Sequence, residues 1–160
     1  MQSYQRLMIA HGFLVTAVGL LAGFMLIFSL VGGFEVWPGE IAQFSVYGTT
    51  DGWVRAHSGG ITNGMLVVIV ALALPKLELS ERMNAFFAWG LIYVAWSFTV
   101  FYWVGNAAAN RSLTMGDNPL GGADWLSVIG FLPGIPSIFL APVILFIGAR
   151  AALALRNKSD

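Results

Sequence analysis

The 160-residue chain has no cysteine, only two histidines, and charged residues at just 10% of its length. Without cysteine it forms no disulfide, thiolate-bound zinc site, cysteine-ligated cluster or covalently attached c-type haem. Any metal chemistry then rests on histidine, carboxylates or carbonyls. Soluble domains carry about 25% charged residues. The low charge, together with 58% hydrophobic residues and a mean hydropathy of +0.77, therefore excludes an ordinary soluble domain. No block of like charge is present to meet nucleic acid, and no Pro/Ser-rich linker, low-complexity tract or fixed-period repeat divides the chain, which reads as one domain over residues 1–160.

Long apolar runs are what the sequence has in excess. Crossing ~30 Å of hydrocarbon takes about 20 apolar residues. Four stretches qualify: Leu7 to Phe34, His57 to Pro75, Ala85 to Ala108 and Trp125 to Leu155. The expected fold is all-α, a four-transmembrane-helix bundle. Although Arg6 precedes the first run, that run is too long for a signal peptide and no small-x-small cleavage site follows it. An even number of spans puts both termini on one side, with Arg6, Lys76, Arg82, Arg150, Arg156 and Lys158 there against Arg55 and Arg111 opposite. This asymmetry predicts cytoplasmic termini and a plasma-membrane location of bacterial inner-membrane type.

The segment Ala56-His57-Ser58-Gly59-Gly60-Ile61-Thr62-Asn63-Gly64 leads directly into the second apolar run. On a helix, Gly60 and Gly64 share the face of His57. That face joins a ligand to a strip without side chains, suited to a close helix contact of the small-xxx-small type or to the edge of a planar cofactor. Imidazole is the commonest axial ligand of haem iron. His11 lies near the terminal side of the first helix and His57 near the opposite side. A depth difference of roughly 20 Å argues against a bis-histidine iron within one chain and leaves His11 as a hydrogen-bonded packing residue.

On the third helix, Trp89, Tyr93, Trp96, Val100 and Trp103 form one aromatic seam read as packing, while Tyr102 lies on another stripe with Phe98, Ala95 and Asn106. Tyr102 and Asn63 each need a partner inside the bilayer; a structural hydrogen bond and contact with a polar substrate atom both satisfy that need. Arg111, in the turn Asn110-Arg111-Ser112-Leu113-Thr114, suits either lipid headgroups or haem propionates. Pro133, Pro136 and Pro142 predict a kinked fourth helix whose freed carbonyls need donors.

The motifs His11-Gly12, Leu30-Val31-Gly32-Gly33-Phe34-Glu35, Gly52-Trp53-Val54-Arg55-Ala56-His57-Ser58-Gly59, Asn63-Gly64-Met65, Phe101-Tyr102 and Asn110-Arg111-Ser112-Leu113-Thr114 together resemble the small membrane-bound styrene oxide isomerases. The resemblance implies a four-helix protomer, a homotrimer, and haem b near subunit interfaces with His57 as axial ligand. It also implies redox-neutral rearrangement of an aryl epoxide to an aldehyde, with ferric iron as Lewis acid and with Asn63 and Tyr102 orienting the substrate. Two positions depart from the family pattern: Val94 and Phe98 stand where it carries a carboxylate and an amide. A non-enzymatic haem protein, carrying electrons or sensing a diatomic ligand, and a cofactor-free assembly subunit are the alternatives from other classes.

Overall fold

A computed structural model describes residues 1–159, with side chains placed through residue 155. Four helical segments, Ser3–Val31, Thr50–Leu77, Glu81–Ala107 and Trp125–Leu155, are long and apolar enough to cross a bilayer. The helices are α1 (Ser3–Val31), α2 (Thr50–Ala73, continued by a 3-10 turn over Leu74–Leu77), α3 (Glu81–Ala107), α4 (Trp125–Phe131) and α5 (Gly134–Ser159).

The chain is mostly helical but not all-α. Helix α1 stops at Val31, short of the expected Phe34, because Gly32 adopts a left-handed conformation (φ 72°) and its N–H caps the Phe28 carbonyl at 2.9 Å. The following residues form an antiparallel hairpin of β1 (Gly33–Trp37) and β2 (Glu40–Gln43), with Phe34 opposite Ala42 and Glu35 opposite Ile41. Trp37-Pro38-Gly39 makes the turn, and the Glu35 carboxylate accepts the Gly39 N–H at 2.8 Å.

Helix α2 begins well before His57. Thr49 caps it by accepting the Gly52 N–H at 3.1 Å, and Asp51 in the first turn favours the positive end of the helix dipole. His57 therefore lies two turns inside the helix rather than at its mouth. In the fourth span the expected kink is a full interruption: α4 ends at Phe131 and α5 starts at Gly134, with Pro133 between them and Pro142 inside α5. The Tyr93 hydroxyl donates to the Pro133 carbonyl at this break at 3.0 Å, which gives the phenol its partner inside the bilayer.

Helices α1, α2 and α3 pack side by side, with α5 against α3. Met8, Val15, Val67, Leu74, Phe87, Leu91 and Ile144 form the main buried cluster. The α1–α2 seam is made by glycines. A Cβ on Gly60 would sit 2.6 Å from the Gly19 Cα, and one on Gly64 would sit 2.5 Å from the Gly12 carbonyl oxygen. These clashes are with backbone, which cannot rotate away. Gly60→Leu is thus expected to separate α1 from α2 at a cost above the usual ~1–3 kcal/mol of overpacking. Loss of the monodisperse, thermally stable protein in detergent checks this, whereas a wild-type melting temperature would place the Gly60 face elsewhere.

The expected aromatic seam divides among three partners. Tyr93 turns to the α4–α5 break, Trp96 to α1, and Trp103 to Trp53 of α2 at 5.1 Å between ring centroids, while Trp89 is exposed.

Candidate functional site

Helix α2 presents two functional faces. On the α1 face, His57 Nδ1 is 2.9 Å from the Gly19 carbonyl oxygen. A carbonyl can only accept, so Nδ1 carries the proton and the neutral ring keeps its lone pair on Nε2. The imidazole lies over Gly23, where a Cβ would come within 2.8 Å of Nδ1. Beyond it opens a groove of about 410 Å³ walled by Leu20, Phe24, Leu26 and Ile27. A fixed tautomer, an uncommitted Nε2 and an apolar wall are what a metal-ligating histidine needs.

Gly60 and Gly64 share the His57 face as their spacing required, but that strip is covered by Gly19, Gly12 and Thr16 of α1. It is a helix–helix contact, and the expected placement of these two glycines against a cofactor is corrected to that role. The depth expectation also changes. His57 meets α1 at Gly19, eight residues beyond His11, or about 12 Å along the helix rather than 20 Å. His11 is occupied in packing: its Nδ1 accepts the Trp96 indole N–H at 3.0 Å, with the rings edge to face.

On the α3 face of α2, the Tyr102 ring fills the space above Gly59, where any Cβ would overlap it. Phe98 stacks on Tyr102 at 6.3 Å and 23°, and Phe101 meets it at 5.5 Å at a steep angle. Asn63 lies one turn beyond Gly59 on the same face, and its Nδ2 is buried with no acceptor among the described residues. Val94 is buried at 3% exposure.

Arg111 projects from the loop after α3 and, with Arg55, Tyr102 and Asn106, lines a hollow of about 110 Å³. Asn106 accepts the Thr49 N–H through Oδ1 at 2.9 Å, tying the α2 cap to α3. Gly59, Arg55 and Asn106 stand in the sequence beside the site residues without being marked as part of the site. Gly59 could have been found four residues before Asn63, and Arg55 as one of only two cations on its side of the membrane.

Tyr102 and Arg111 line one hollow beside α2, Asn63 lies on the same face of α2 one turn beyond Gly59, and His57 lies on another. Residues 57 and 59 are about 200° apart around a helix, and the His57 groove and the Tyr102 hollow share no lining residue. Among the described residues no three His, Asp or Glu side chains gather to hold a metal ion.

The fold and these two faces define a four-span helical membrane protein with a ligand-ready imidazole and a separate aromatic, amide-bearing face. The family model for styrene oxide isomerase matches residues 4–153. The styrene-oxide isomerase of Pseudomonas fluorescens is 39% identical over 133 residues, covering 83% of this chain and 79% of that protein. The chain belongs to the styrene oxide isomerase family, and it is an isomerase.

Proposed function

We propose that this protein is a haem b-dependent isomerase of aryl epoxides such as styrene oxide, working in the plasma membrane as a homotrimer with cytoplasmic termini. The observation that carries the reading is the His57 Nδ1–H···O=C Gly19 bond, which leaves Nε2 free beside an apolar groove. His57 Nε2 would hold the haem iron, which in its ferric state would supply Lewis acidity toward the epoxide oxygen. His57 and Tyr102 face different ways in one chain, so the site closes when the His57 groove of one copy meets the Tyr102 face of the next. Such a contact joins two different patches, and a heterologous contact whose rotation closes gives a ring rather than a two-fold dimer.

In that site the Tyr102 hydroxyl donates to the epoxide oxygen as negative charge develops, and the unpartnered Asn63 Nδ2 is the second donor. The benzylic carbon–oxygen bond breaks with its electron pair left on oxygen. A hydride then moves with its pair from the terminal carbon to the benzylic carbon, and an oxygen lone pair forms the aldehyde carbonyl. Atoms and electrons balance without an added reactant. Phe98 and Phe101 place apolar surface beside Tyr102, excluding the water that would trap the cation as a diol.

Terminally dideuterated styrene oxide tests the scheme. Phenylacetaldehyde is expected to keep both deuterons, one on the aldehyde carbon and one on the benzylic carbon, with no diol. Loss of label to water, or a diol as main product, would contradict the internal hydride shift.

A further inference from the structure

The hollow at the loop end of α3 sets polar donors among the apolar Phe101 and Leu113. Arg55 and Arg111 line it, no carboxylate does so among the described residues, and Asn106 lines it with Nδ2 buried and without an acceptor. Asn106 itself is 8% exposed. Its Oδ1 is committed to Thr49, so the amide cannot turn over to offer an acceptor instead. Arg111 is held in place by its neighbours. Residues 111 and 112 both take left-handed backbone (φ 59° and 52°), the fully buried Asn110 accepts the Ser112 N–H at 3.0 Å, and the Ser112 hydroxyl donates to the Leu126 carbonyl at 3.1 Å. Two guanidinium groups facing a half-apolar hollow call for an acceptor-only, anionic ligand, for which the planar carboxylate is the natural match.

We infer that this hollow is a carboxylate-binding site that takes the haem propionates, with Arg55 and Arg111 as paired ligands; this rests on the haem reading above. Tyr102 lies four residues from Asn106 on α3, about 6 Å deeper. The residues that would hold the propionates thus lie on the loop side of Tyr102.

The test times haem loss from purified holoprotein to excess apomyoglobin, for wild type, Arg55→Gln, Arg111→Gln and Arg55→Lys, and for wild type reconstituted with haem dimethyl ester. Each glutamine variant is expected to lose haem about 10- to 100-fold faster, as for a lost charge-assisted pair, with Arg55→Lys in between. The ester is expected to leave wild type about as fast as haem leaves the glutamine variants, and to leave Arg55→Gln no faster than that. Equal rates for haem and ester in wild type would overturn the inference and assign these arginines to anionic lipid headgroups. A wild type that holds no haem at all would instead overturn the haem reading, through the His57 side of the site.

Discussion

His57→Ala is expected to yield folded protein without a Soret band, while His11→Ala keeps the band at wild-type intensity per protein. The two imidazoles differ in what their nitrogens do. His57 gives its Nδ1 proton to the Gly19 carbonyl and leaves Nε2 uncommitted, whereas His11 accepts from Trp96 through Nδ1 and is tied into the α1–α3 contact. If His57 is the axial ligand as proposed, its removal deletes that ligand, gives up the bond to the Gly19 carbonyl and opens space over Gly23. Removing His11 strands the Trp96 indole N–H, a cost of about 1–3 kcal/mol that lowers the melting temperature without touching the haem. Matched Soret intensities in wild type and His57→Ala would overturn the ligand assignment.

Tyr102→Phe is expected to lower kcat for epoxide isomerisation by about 10- to 1,000-fold, the range for losing one donor to a developing oxyanion, with haem content unchanged. The substitution keeps the ring that stacks on Phe98 and fills the space over Gly59. Only the hydroxyl goes, so packing, and with it the melting temperature, stays near wild type. A kcat within twofold of wild type would remove Tyr102 from the reacting centre and leave Asn63 as its principal donor.

The spans were legible because bilayer length and low charge leave few alternatives for apolar runs of this size. Their boundaries were less so. Gly32, Gly33 and Phe34 continue an apolar run in composition, and nothing in hydropathy reports that Gly32 turns left-handed and hands the chain to a hairpin. Gly48 to Gly52 lie ahead of the expected start of the second span at His57, yet Thr49 caps a helix there and the glycines make room for Asn106.

The glycine spacing in α2 was read correctly as a surface for close approach, but periodicity names a face and not its partner. Gly12 and Gly19 of α1, seven residues apart and so also on one face, were the sequence signal that the partner lies within the same chain. The same limit applies to the site. His57, Asn63 and Tyr102 were each visible as polar groups in apolar sequence, but only the packing of α2 between α1 and α3 separates the imidazole from the other two. Conversely, the regular steps of Trp89, Tyr93, Trp96 and Trp103 suggested one seam, whereas Tyr93 donates to the Pro133 carbonyl at the α4–α5 break.

The most direct test of the account is the isomerisation rate of one purified, haem-loaded preparation, measured by gas chromatography with styrene oxide before and after reduction by dithionite. If the iron works as a Lewis acid held by His57, the ferric protein forms phenylacetaldehyde and the reduced protein is much slower, with activity returning on reoxidation. Equal rates in the two states would contradict it.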